Sequence, residues 1–114
     1  MAGLRLRKAS LLRKGWQYDA VFGRGRRLRG EGYTLVVIEN GQAESRLGIS
    51  VHRKIRGAVR RNRIKRIVRE SFRIGRSSYP QGCDIVCVIY PDFACTDPDA
   101  VTTSVKRLLA CRGT

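Results

Sequence analysis

The chain is poor in acid. Its 114 residues hold nine Asp and Glu against 24 Lys and Arg, which leaves a formal charge of +15. An excess of that size repels itself within a compact fold, so negative charge must come from outside the chain. Histidine occurs once, as His52, and tryptophan once, as Trp16. One histidine and scattered acids exclude the dense ligand sets on which metal-dependent hydrolysis relies. Only Asp92, Asp97 and Asp99 cluster, and Asp97 and Asp99 fit a helix start better than an active site. No residue is assigned a catalytic or metal-ligating role, and no small-molecule substrate is expected.

Long apolar runs are missing too. None approaches the roughly 18 residues of a transmembrane helix, and no membrane partner is expected. The basic start MAGLRLRKASLLRK lacks the apolar centre of a signal peptide, so the expected location is cytoplasmic. The four cysteines, Cys83, Cys87, Cys95 and Cys111, show no CxxC spacing and no close histidine, which reads as reduced structural thiols.

What the chain does have is 42% apolar residues, enough for one domain over residues 1–114, with residues 1–10 as a flexible basic arm. LRKGWQYDAVF, residues 12–22, forms a short helix with Tyr18, Val21 and Phe22 on one stripe. Trp16 is expected to close the core beside them. GRGRRLRGEG, residues 23–32, with four Gly and four Arg, leads into an edge strand. YTLVVIEN is a strand, followed by an Asn-Gly turn. RLGISV alternates Leu47, Ile49 and Val51 with Arg46, Gly48 and Ser50, which leaves one sheet face partly open. CDIVCVIY, residues 83–90, is a strand covered on both faces. TDPDA then starts a last helix with Asp97 as cap, and Val101, Val105, Leu108 and Leu109 as buried stripe. The reading is α+β: an α-β sandwich of order αβββαβα over a mostly antiparallel four-stranded sheet.

The most informative stretch is GAVRRNRIKRIVRESFR, residues 57–73. Seven of the fourteen positions from Arg60 to Arg73 are Arg or Lys, against the single acid Glu70. As a helix it sets Ile64, Ile67, Val68 and Ser71 on one side and Asn62, Lys65, Arg66, Arg69 and Arg73 on the other, with Arg61 and Arg63 at the borders. A merely solvated face would alternate in sign and form i,i+4 pairs. A membrane-surface helix would carry bulky Trp or Phe beneath. A DNA recognition helix would follow another helix, and here a strand precedes. Arginine's planar fork suits phosphate oxygens, and a nucleic acid is the expected partner.

RLGISVHRKIRGAVRRNRIKRIVRESFR resembles the protein subunit of bacterial ribonuclease P. The family's core stands here as Ala58-Val59, Arg61-Asn62-Arg63-Ile64-Lys65-Arg66 and Arg69-Glu70, preceded by Ser50-Val51-His52-Arg53-Lys54-Ile55. Tyr18 and Phe22 stand where the family usually has aromatics. The resemblance implies a protein that binds a catalytic RNA and precursor tRNA, while the RNA and its magnesium ions remove the 5′ leader. It implies contacts to the catalytic RNA from Arg53, Lys54, Arg61, Asn62, Arg63, Lys65, Arg66 and Arg69. It places Tyr18, Phe22, Val36, Ser50 and His52 along a cleft for the leader, and it implies a left-handed crossover into the basic helix. Three departures stand out: Val36 for an aromatic, His52 for a small polar residue, and Arg56-Gly57 for a Gly-Asn-like pair. Composition alone leaves a ribosomal protein or RNA chaperone open; the Arg-Asn-Arg block separates them.

Overall fold

The computed structural model describes residues 10–112. In chain order they form α1 (Gly15–Arg24), β1 (Arg26–Arg29), β2 (Tyr33–Glu39), β3 (Arg46–Val51), α2 (Ala58–Ile74), β4 (Cys83–Ile89) and α3 (Pro98–Arg112). The order is the expected αβββαβα, and most of the proposed flexible arm, residues 1–9, lies outside the described residues.

The strands make one sheet in the order β1-β2-β4-β3. β1 pairs with β2 and β2 with β4 antiparallel, whereas β3 runs parallel to β4. β4 therefore sits in the middle, which explains its nearly continuous apolar content. Asp84 interrupts that run, and it is buried because Arg46 of β3 grips it bidentately, Nε to Oδ1 at 2.8 Å and Nη2 to Oδ2 at 2.7 Å. The Asn40-Gly41 turn does not make a β2–β3 hairpin. Gly41 has φ +70° and Asn40 Oδ1 accepts from the Gln42 amide, but the Asn40 amide donates to Gly82 O at 2.9 Å. The turn thus docks on the entry to β4, and α2 carries the chain across from β3.

Alternation gives the sheet two covered faces. On one, Leu35, Val37, Leu47, Ile85, Cys87 and Ile89 pack beneath α2 and α3, against Val68, Phe72, Val101 and Val105. On the other, α1 lies across Val36 and Val86 with Val21 and Leu12. The Gln17 side chain fixes the start of α1 by accepting the Arg13 and Lys14 amides at 2.8 and 2.9 Å. Asp97 caps α3 as expected, its Oδ1 accepting the Ala100 amide at 2.9 Å. α2 and α3 are tied by a buried hydroxyl chain: Ser71 Oγ lies 2.7 Å from both Tyr79 Oη and Thr102 Oγ1, and Thr102 donates to Pro98 O. With Thr102's proton spent there, Ser71 donates to Thr102 and Tyr79 to Ser71.

Several local expectations change. Ser10 and Leu12 are buried, and Leu12 N donates to Leu47 O at 2.8 Å, so the arm is already anchored along the free edge of β3 at residue 10. Trp16 does not close the core. It is 67% exposed, because the stripe of Tyr18, Val21 and Phe22 turns the opposite side of α1 to solvent. Gly75 ends α2 with φ −104°, and a Cβ there would stand 2.8 Å from Thr102 Cγ2 of α3.

The cysteines are free thiols, with Cys83 and Cys87 buried. Burial pushes the Cys87 thiol up to about 12 from 9.0. It stays protonated in the fold where the unfolded chain would ionise. Its contribution to stability is therefore complete below pH 9 and drains away as pH rises from 9 towards 12. Between pH 8 and pH 10 the unfolding free energy is expected to fall by about 1.4 kcal/mol from this group in denaturant titrations, and Cys87→Ala should flatten that slope.

Candidate nucleic-acid interface

The helix that carries most of the charge is held at its start by unusual means. Its N-cap is Gly57 at φ +93°, a backbone angle that favours glycine, and no side chain caps the first turn. The structure uses Arg61 there. Nη1 donates to His52 O at 3.0 Å and Ile55 O at 2.9 Å, and Nη2 donates to Val51 O at 3.1 Å. His52 Nδ1 in turn accepts the Lys54 amide at 3.1 Å. Arg61 thus clasps the β3–α2 connection and fixes where the rest of the helix points.

The cause lies in how α2 is rotated. Its buried residues are Ile64, Val68, Ser71 and Phe72, whereas Ile67 is only half-buried. Compared with the stripe read from sequence, the buried direction is turned by roughly 35° towards Phe72 at 100° per residue. That turn brings Arg61 onto the end of β3 and the connection that follows it, and leaves Arg63 in solvent.

Outward, Asn62, Arg63, Arg66 and Arg69 are exposed and Lys65 is half-exposed, with Arg53 and Lys54 exposed on the preceding turn. The ion pairs Arg46–Asp84 and Arg73–Glu70 are formed among the described residues. Arg60, Arg63, Lys65, Arg66 and Arg69 take part in none. Glu70's carboxylate is held below its usual range by the hydrogen bonds from Arg73, so the sole acid of α2 serves its neighbour. The cationic face is not neutralised by the protein itself.

The aromatic group sits on the sheet face that α1 partly covers. Tyr18 lies over Gly48, where a Cβ would come within 2.8 Å of the ring, and its hydroxyl accepts the Ile49 amide at 3.2 Å. That bond occupies a free donor on the edge strand. Phe22 is half-buried, with the Arg27 guanidinium 5.8 Å from its ring centroid. Ser50 is half-exposed on the same face, and His52 stands at its end with its ring 6.2 Å from Tyr90. Val36 differs: it is 0% exposed, beneath Gly25 at the end of α1, and supplies floor packing where the resemblance implies a contact.

Two groups predicted apart in sequence meet in space. A groove of about 220 Å³ is lined by Tyr18 and Gly48 on one side and Lys65 and Arg69 of α2 on the other, with Arg13 at its mouth. Sequence reasoning missed Arg27 and Tyr90. Arg27 pairs in register with Val36 and so shares its face, and Tyr90 donates to Thr34 Oγ1 at 3.2 Å. Extending the strand alternation one residue past β4 and into the glycine-arginine stretch is the signal that finds both.

An unneutralised cationic helix beside an aromatic cleft defines a polyanion-binding α+β protein. A family model described as Ribonuclease P matches residues 6–112. The chain is 52% identical over 108 residues to the ribonuclease P protein component of Desulfotalea psychrophila, covering 95% of this chain and 90% of that one. It is 40% identical over 112 residues to the component from Syntrophus aciditrophicus, covering 98% and 87%. Among solved structures, the RNase P protein from Thermotoga maritima superposes with TM-score 0.72 at 34% identity, covering 93% and 94%. That from Staphylococcus aureus gives 0.75 at 26%, covering 91% and 95%. The chain belongs to the ribonuclease P protein family. It is a protein component of ribonuclease P, the endoribonuclease that removes the 5′ leader of precursor tRNA.

Proposed function

We propose that the exposed face of α2 docks on the catalytic RNA subunit while the α1 cleft holds the single-stranded leader of precursor tRNA. The observation that carries this is the row Arg63, Lys65, Arg66 and Arg69, exposed or half-exposed and joined by no acid. Arg53 and Lys54 extend the row, and Asn62 adds an amide that can donate and accept. Arg61 acts from behind, as the residue that positions the row. Tyr18, Phe22, Ser50 and His52 line the track for unpaired nucleotides, with Arg27 and Tyr90 joining them. Bases stack on aromatic rings while cations follow the phosphates.

The residues of this surface do not fit a magnesium site. They are cations, and nearby carboxylates are committed: Glu70 to Arg73, and Asp97 to the Ala100 amide. Among the described residues, no three His, Cys, Asp or Glu come together as a metal site. In this reading magnesium stays with the RNA and substrate, whose phosphate oxygens suit a hard cation, and the protein's part is to bind and orient.

Reconstitution tests the reading. The protein alone is expected to leave precursor tRNA intact and to restore its processing when added to ribonuclease P RNA at low magnesium. Phe22→Ala should keep that assembly yet reduce the preference for leader-bearing over leaderless tRNA by about tenfold, one lost stacking contact. Tighter binding to ribosomal RNA with unchanged processing would support an RNA chaperone instead. No helix among the described residues is long and apolar enough to cross a membrane.

A further inference from the structure

On the side of α2 away from Lys65, a second groove of about 310 Å³ opens between the helix and the segment joining β4 to α3. Ile64 and Ile67 of α2 form its floor with Phe93 and Cys95, and Arg60 and Arg63 stand at its rim. Both arginines are exposed and neither is in an ion pair among the described residues. Phe93 is half-buried and held in place: its ring meets Tyr33 edge-on at 6.3 Å and 85°, and its amide donates to Tyr90 O at 3.0 Å. Tyr33 is itself buried, with its hydroxyl 2.8 Å from Ser104 Oγ.

We infer that this groove receives one unstacked nucleobase of the catalytic RNA, with the flanking phosphates on Arg60 and Arg63. The inference rests on α2 being the docking face for that RNA. A fixed aromatic ring, an aliphatic floor and a cationic rim form the combination that holds splayed-out bases. The groove also has a polarity. Burial first, and then the charges of Asp97 and Glu31, hold the thiol of Cys95 at its inner wall above the usual range. Negative field at that end disfavours a phosphate there, so the strand crosses at the α2 rim and only a neutral base enters. The catalytic RNA, not the leader, is the occupant, because Phe93 and Tyr33 pack on the α2–α3 face of the sheet, whereas Tyr18 and Phe22 pack on the opposite face.

The test uses the full chain and ribonuclease P RNA. Phe93→Leu keeps apolar volume, so the fold should hold, but it cannot stack. RNA affinity is expected to fall about tenfold while the salt dependence of binding stays unchanged, because stacking is not ionic. Arg60→Gln should instead reduce the slope of log affinity against log salt by about 0.9, one phosphate contact. A photo-crosslinking amino acid at Ala94, which is exposed and lines the groove, should attach to the RNA subunit. Wild-type affinity in folded Phe93→Leu, or crosslinks to precursor tRNA alone, would overturn the inference. Arg66→Ala separates the two readings. If it weakens assembly while Phe93→Leu does not, the groove fails and the docking face stands; if neither does, the docking face itself fails.

Discussion

Arg61→Ala is expected to destabilise the protein by about 3 kcal/mol, measured as the shift in unfolding free energy in denaturant titrations. The side chain gives three hydrogen bonds to main-chain carbonyls of Val51, His52 and Ile55. Each is assisted by the guanidinium charge, and their loss leaves those carbonyls dependent on water at a half-buried junction. The total stability of a domain this size is only about 5–15 kcal/mol, so the loss is a large share of it. Arg61→Lys should recover less than half. An ammonium is a point charge on a flexible stem and cannot match the spread of a planar fork. A neutral effect of Arg61→Ala on folding, with a loss of RNA affinity alone, would show that the clasp is dispensable and that Arg61 belongs with the outward-facing residues.

The double variant Arg66→Ala/Arg69→Ala is expected to do the reverse. Both side chains are exposed, and neither forms a side-chain hydrogen bond or ion pair among the described residues. Folding stability should change by less than about 0.5 kcal/mol, the usual range for surface positions. RNA affinity should fall about a hundredfold, two charge-assisted contacts at about 1.5 kcal/mol each. Equilibrium binding of the catalytic RNA, with the denaturation midpoint as control, measures both. Wild-type affinity in this variant would move the docking surface off α2.

The contrast between these variants marks where sequence reasoning reached its limit. The basic helix was legible because charge and period agree: aliphatics at Ile64 and Val68 set one side, and cations fill the other. Its rotation was not. Ile67 and Phe72 flank the stripe about equally, and only tertiary packing buries Phe72 fully and leaves Ile67 half-open. That small turn converts Arg61 from a surface cation into a clasp. The sheet order was hidden for a similar reason, since Asn40-Gly41 carries hairpin chemistry while its partners are Gly82 and Asp84, far along the chain. Trp16 faces solvent because its place on α1, opposite Tyr18, Val21 and Phe22, outweighs the tendency of a large indole to pack.

The aromatic cleft was legible in part. Tyr18, Phe22 and Ser50 stand out on α1 and β3, but Arg27 comes from a segment read as a lead-in and Tyr90 from the end of the apolar run 83–90, whose unbroken pattern marks no face. Arg27 lies in the glycine-rich stretch, and Tyr90 follows the strand it extends. Phe93 and Arg60, which frame the second groove, carry no local signature. Their meaning arises from the segment after β4 folding back against α2, a contact no periodicity encodes.

The most direct measurement is the affinity of the wild-type protein for ribonuclease P RNA across a salt titration. Six phosphate contacts from the α2 face and its preceding turn give a slope of log affinity against log salt near −5, and a loss of about 10³-fold between 50 and 200 mM. A slope near zero would contradict the claim that these cations exist to meet an RNA backbone.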